Sequence, residues 1–480
     1  MKKYIRIFSL TALFAFASCD DFLDLQPEYL SNEDGFYKTE EDFETAIIGT
    51  YAQLQDLYNL PLIYLGDLTT DNSEIQWSSP TTSESECEEL DMSVNNTFTD
   101  DIWQTSYSII TQSNTLIAKL QEVELGSIEE QYLGEAYFLR AHSYFNLVRV
   151  FGELPLITIH FTSPNQIAEF DMTRKPTSEI YDLIVSDLEN SINLLDGIEG
   201  LGKSRASVGA SKTLLGKVYL TLQNFSQAAT VLKEVIDMNA YSLEDDYGTL
   251  FTNGNDELDE SIFEVKYLSG NIGEGNSYSS VFTPPLFNIA IFPGNMQGSG
   301  RINPTADMAN TYEPGDLRRP ESIADSVLLL TGNYASNKYG LKFVDFTTGI
   351  VGDGGINFTM LRYADVLLMY AEALLETDGA TTEAHDYLNL VRDRAGLDDL
   401  AGLSENDLAL AIEHERRVEF YNEGHRWFDL VRTGRAQTVL NAHFSDLGTA
   451  FTLENHELIM PLPLREITLD PSLAQNPGYN

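Results

Sequence analysis

Apolar and small residues recur at helical spacing along much of the chain, and the stripes they make are one-sided. Between Glu40 and Tyr58 they fall at Phe43, Ala46, Ile47, Thr50, Leu54 and Leu57, with Thr39 and Asp42 offering a capping pair at the start. Tyr181, Ile184, Val185, Leu188, Ile192 and Leu195 mark a second stripe, and Ala364, Leu367, Leu368, Ala371, Leu374 and Leu375 a third. A helix with one apolar face must bury it against a neighbour, so the pattern predicts a mostly α protein of packed amphipathic helices.

One pair of helices goes further and resembles a tetratricopeptide repeat. Leu215, Gly216 and Tyr219 fit its first helix and Ala228 and Leu232 its second, with Lys212 in place of the usual Trp. A looser copy runs through Tyr370, Ala371, Leu374, Ala384 and Leu388. Small residues in these slots let two antiparallel helices approach closely. Two copies cannot cap themselves, so the other amphipathic helices are expected to complete the stack.

Two segments break the rhythm. Residues 66–100 hold nine carboxylates and no Lys or Arg, together with Trp77. Residues 241–360 hold 15 of the 33 glycines, 15 Tyr or Phe, and the prolines 284, 285, 293, 304, 314 and 320. A disordered linker would lack those aromatics, so this stretch reads as an ordered, loop-rich region. Long ordered loops on a rigid scaffold are where binding surfaces usually sit. The candidate ligand residues are therefore Trp77, Asp71 and Asn72 in the first segment, with Tyr278, Phe282, Phe287 and Phe292 in the second. Aromatic faces give rigid apolar area suited to stacking on sugar rings or gripping peptides.

The N-terminus adds an address. Lys2, Lys3 and Arg6 precede an apolar run from Ile7 to Ala17, too short to span a bilayer and typical of a secretory signal, and Cys19 follows. The arrangement resembles a bacterial lipobox, which makes residues 1–18 a signal peptide and residues 19–31 an acylated tether anchored through Cys19. Loss of the three basic residues leaves 26 cations against 74 carboxylates, a side-chain charge of −48. No basic stripe offsets that charge, which excludes nucleic acid as a partner. Cys87 is then alone and makes no intrachain disulfide.

Catalytic motifs are missing. His414-Glu415 lacks a second histidine at zinc-protease spacing, Gly270, Gly273 and Gly275 do not complete a dinucleotide fingerprint, and no nucleophile elbow or phosphate-binding loop occurs. Asp245, Asp246, Asn253, Asn255, Asp256 and Asp259 have the oxygen chemistry of a calcium site but not the EF-hand order, and read as a solvated loop. No cofactor is expected. The run from Glu415 to Leu430 gathers acids, arginines and His425, yet Leu408, Ala411, Ile412, Glu415 and Val418 share one helical stripe, which aims Glu415 inward. A buried carboxylate needs a partner, so Glu415, Arg416, Glu423, Arg426 and Asp429, with Arg140 on its own apolar stripe, are expected to form structural ion pairs.

Several blocks resemble the SusD/RagB family. They are Gly134-Glu135-Ala136 with Phe138-Leu139-Arg140-Ala141 and Phe151-Gly152-Glu153-Leu154-Pro155, then Arg362-Tyr363-Ala364-Asp365 with Tyr370-Ala371-Glu372-Ala373, and Arg394-Ala395-Gly396-Leu397. Met460-Pro461-Leu462-Pro463 and Gln475-Asn476-Pro477-Gly478-Tyr479 complete the series, in family order. The resemblance implies one domain over residues 32–480: a tetratricopeptide-like helical scaffold with irregular insertions at 66–100 and 241–360. It also implies a non-enzymatic, outer-membrane lipoprotein facing the cell exterior, which binds an oligosaccharide and delivers it to a SusC-like TonB-dependent barrel transporter. A peptide-binding lid of the same architecture and a surface glycoside hydrolase are the alternatives. Family ligand residues vary between members, so none is carried over to this chain.

Overall fold

The computed structural model describes residues 35–479; the basic leader, Cys19 and the tether lie outside them. The first long helix, Glu40–Ala52, opens on the Thr39/Asp42 capping box and buries Phe43, Ile47 and Thr50. Helices Thr97–Leu120, Ser127–Phe151, Thr177–Leu195, Val208–Thr221 and Phe225–Asp237 then stack in chain order, each against the one before. After a gap of more than a hundred residues the stack resumes: Tyr363–Asp378 packs on Phe225–Asp237, and Thr382–Arg394 and Glu405–Glu419 pack on Tyr363–Asp378 in turn. The fold class is thus helical and tetratricopeptide-like, and both repeat pairs are antiparallel neighbours. Gly216 shows why the pattern needs a small residue: a Cβ there would stand 2.5 Å from a methyl of Leu232. Lys212, in the slot of the missing Trp, pairs with Glu234 at 2.7 Å.

Strands are short and paired two by two. Ser261–Val265 runs antiparallel to Phe358–Arg362, and Ile323–Leu328 to Tyr334–Gly340. Ser73–Glu74 pairs with Asn303–Pro304, and Leu154–Pro155 with Arg174–Lys175. The first of these ribbons joins the loop-rich region to the scaffold, because Arg362 ends its strand at the N-cap of Tyr363–Asp378.

Residues 66–100, read from the sequence as irregular, begin inside the core. Tyr64–Leu68 forms a buried π-helical turn, the chain stays buried through Ser73, and Thr82–Glu89 is a helix with its own Thr81/Glu84 capping box. Gly66 permits this: a Cβ would lie 2.3–2.5 Å from backbone atoms of Gly424.

Candidate functional site

Among the described residues, three buried clusters hold most of the expected ion-pair residues. In the first, Arg362 donates to Glu260 and Glu423 at 2.8 Å and to Glu419 at 2.5 Å, while Arg394 also reaches Glu260 and Glu419. Glu423 takes Lys342 at 2.7 Å, and Arg318 bridges Asp316, Glu415 and Glu419. Burial pushes Lys342 down to about 8 despite Glu423. Burial also opposes the Glu419 carboxylate, but three arginines hold its pKa well below the ordinary range. In the second, Arg416 joins Asp365 and Asp429, and Asp429 also takes Arg432. The third is separate: Arg140 grips Asp187 through two hydrogen bonds of 2.7 and 2.8 Å. Shifted ionisations of this kind often mark active sites, but here the charged groups are committed to one another in buried ion pairs.

Asp71 and Asn72, read from the sequence as ligand groups, belong to this interior. Asp71 is 4% exposed and accepts both arms of Arg426 at 2.9 Å, with Arg417 at 3.0 Å. Burial raises the cost of its charge, and Arg426 and Arg417 more than offset it, so its pKa falls below the ordinary value. Asn72 donates to Asp67 at 3.1 Å and accepts from Arg417 at 3.0 Å. Asp67 has no such cation in contact; burial pushes it up to about 6 although Gly424 N–H and Asn72 donate to it.

Tyr278 and Phe282 are corrected in the same way. Both are fully buried, stacked at 5.4 Å, and Tyr278 donates its hydroxyl to the Tyr58 carbonyl. Phe292 is buried against Phe346 at 5.7 Å. They are part of the main hydrophobic core, continuous with that of the helices, and offer no face to a ligand.

Trp77 and Phe287 remain at the surface. From Ser73–Glu74 the chain leaves the interior, and the N–H groups of Gln76 and Trp77 both donate to the Gly300 carbonyl, at 2.8 and 3.1 Å. Gly300 takes a positive φ of 58° with Pro285 packed against it, and its own N–H donates to Thr283. Trp77 is partly exposed, with the Arg301 guanidinium 5.9 Å from its ring centre. Glu84 fixes Arg301 and also accepts from Tyr64 at 3.0 Å, which ties the platform to the buried turn. Phe287 is 75% exposed, and the next residue, Asn288, accepts from Leu330 N–H at 2.7 Å on the 323–340 hairpin. That hairpin carries Tyr334, 70% exposed, which sequence reasoning missed for want of any local signal separating it from the buried aromatics. Three aromatic side chains therefore stand on segments hydrogen-bonded to one another.

The acidic loop weighed as a calcium site is tied down internally. Asp246 caps Gly248 N–H, Asn253 donates to Asp345 and Asn255 to the Thr249 carbonyl. A second feature lies on the scaffold: a groove of about 1080 Å³ between Thr97–Leu120, residues 155–173 and the C-terminal segment, lined in part by Gln104, Tyr107, Ser108 and Phe170. From Ile102 to Ala118 that helix carries no charged residue.

Comparison with known proteins places the chain. Residues 330–479 match the model of the SusD family, and residues 21–220 that of a family described as starch-binding, associating with the outer membrane. SusD-like protein P38 of Formosa agariphila is 29% identical over the full length of both chains, and SusD-like protein P2 of the same organism 27% identical, again over both full lengths. Among solved structures, a laminarin-binding SusD-like protein aligns with a TM-score of 0.78 at 29% identity, covering 92% of this chain and all of the other. A SusD superfamily protein of Parabacteroides distasonis aligns at 0.79 and 25%, covering 92% of this chain and 99% of the other. With residues 21–220 and 330–479 matched by these models and the fold shared over 92% of its length, the chain belongs to the SusD/RagB family.

Proposed function

We propose that this protein is a glycan-binding lipoprotein of the outer membrane, held at the cell exterior through acylated Cys19, that captures an oligosaccharide and passes it to a SusC-like TonB-dependent transporter. The observation that carries the reading is the Trp77 platform: a partly exposed indole, fixed by two backbone hydrogen bonds to Gly300, on a loop region braced by a rigid helical stack. Such a surface stacks on the apolar face of a sugar ring without further ordering. The laminarin-binding relative supports a glycan as the ligand class. The uncharged outer face of Thr97–Leu120, beside its groove, is the surface we assign to the transporter, since charges are depleted at the centre of protein interfaces. A binder rather than an enzyme is favoured because the laminarin-binding relative is described as a binding protein, and the fully enclosed carboxylates Asp67, Glu415 and Glu419 lie in the interior.

The test is calorimetric titration of the chain from residue 20 against soluble polysaccharides and mixed peptides, followed by analysis of the titrated samples. Saturable binding of a glycan without cleavage products is expected. Peptide binding with no glycan binding, or release of products, would overturn the reading.

A further inference from the structure

The surroundings of Trp77 carry a charge pattern that bears on which glycan it takes. Residues 74–89 contain five glutamates and no Lys or Arg. Glu88 is held directly behind the platform strand, accepting the Ile75 N–H at 2.7 Å. Glu74 lies three residues before Trp77 on the strand paired with Asn303–Pro304. Two cations among the described residues face this segment. Arg301, the one beside the Trp77 ring, is engaged by both oxygens of Glu84, and Lys338 faces Glu74 across the Gln76 hydrogen bond to its own carbonyl. Set against the five glutamates of the segment, these two cations leave a formal charge of −3. Burial raises the pKa of both Glu74 and Glu88, and Glu88 feels Glu74 and Glu89 as like charges, so no nearby group compensates them fully.

We propose that the platform selects uncharged glycan chains over uronate- or sulfate-bearing ones, with Glu74 and Glu88 as the specificity-determining residues. The inference rests on the glycan-binding reading of Trp77. An anionic sugar stacked on the indole sits beside a net negative field with its one adjacent guanidinium already paired, whereas a neutral hexose meets only the ring and hydrogen-bonding groups. At separations of ~10 Å in water-like dielectric, a field of this size disfavours a bound monoanion by about tenfold at low salt. Salt screens most of that effect.

The experiment uses matched probes: laminarin and laminarin whose primary alcohols have been oxidised to carboxylates, with xylan and mannan beside polygalacturonate as a second set. Binding is measured by calorimetry at low and high salt, for the natural chain and for the Glu74→Gln/Glu88→Gln double variant, in which the amide keeps the Ile75 acceptor. The expected result is about tenfold or greater preference for the neutral partner at low salt, with the ratio narrowing several-fold both in the variant and at high salt. Equal or tighter binding of the oxidised probe or of polygalacturonate, or a ratio that neither the variant nor salt moves, overturns the inference and leaves the glycan-binding reading standing. Failure of every glycan in both sets to bind overturns both.

Discussion

Arg362 is the residue whose removal the structure penalises most clearly. It is 2% exposed, and its guanidinium makes five hydrogen bonds, to Glu260, Glu419 (side chain and carbonyl) and both oxygens of Glu423, with the Phe420 ring 4.4 Å away. The cluster is near charge balance: Arg318, Arg362, Arg392, Arg394 and Lys342 against Asp316, Glu260, Glu415, Glu419 and Glu423, with Glu313 at its edge. Arg362→Met roughly keeps the volume but takes one cation from three carboxylates, leaving them to Arg394, Arg318 and Lys342, and breaking a buried ion pair from one side costs about 3–5 kcal/mol. An unfolding entropy of ~2.1 cal/mol/K per residue over a chain of this length makes each kcal/mol worth about 1 °C, so the melting temperature at neutral pH should fall by about 3–5 °C. The pH dependence has a definite sign. In the natural chain Glu419 is held well below its unfolded value, so its contribution is present at pH 7 and at pH 5 alike. In the variant the carboxylates that lose Arg362 have raised pKa values, and protonation relieves them as the pH falls. Scanning calorimetry at one scan rate should therefore show the gap between natural chain and variant narrowing from pH 7 to pH 5. A drop below 1 °C, or a gap that stays constant or widens on acidification, refutes this account of the cluster.

Other outcomes follow from the same geometry. Gly66→Ala drives a Cβ into the Gly424 backbone, where neither partner is a side chain that can swing away, and should cost about 3 kcal/mol, the upper end for overpacking, read as a lower melting temperature or as insoluble protein. The Cys87 thiol is fully buried and its pKa is pushed up by that burial, so in the chain from residue 20 it should resist a thiol reagent in buffer and react fully in denaturant; rapid labelling of the folded chain would contradict its placement. Trp77→Ala should weaken glycan binding by about tenfold or more, the loss expected of one stacked aromatic at a binding surface, while leaving the circular dichroism spectrum unchanged. Unaltered affinity would remove Trp77 from the site.

The helices were legible because their signal is local. The stripe from Ala364 to Leu375 is buried residue for residue, and the Thr39/Asp42 capping pair needs only four positions to be read. The loop region was legible in outline only. Nothing near Asp71 distinguishes it from a solvent-facing ligand group, because the cations that claim it, Arg417 and Arg426, lie about 350 residues further along. The inward aim of Glu415 could be read from its helical stripe, but its main partner, Arg318, comes from the irregular region, where no periodicity announces burial. Tyr278 and Phe287 illustrate the same limit: nine residues apart in a glycine-rich stretch, one is fully buried and the other 75% exposed. What separates them is the ring stack of Tyr278 with Phe282, Phe343 and Phe358, which is a property of the closed fold.

The central claim is that ligand stacks on Trp77, and the chain's tryptophan content permits a direct test. Of its three tryptophans, Trp103 and Trp427 are 4% and 1% exposed, so a polar quencher reaches Trp77 almost alone. Quenching of intrinsic fluorescence by iodide should be measured while a calorimetrically validated glycan is titrated in. The account predicts that the quenchable fraction falls in step with saturation, and that Trp77→Phe lacks that fraction from the start. Binding that saturates while Trp77 stays as open to iodide as before would contradict it.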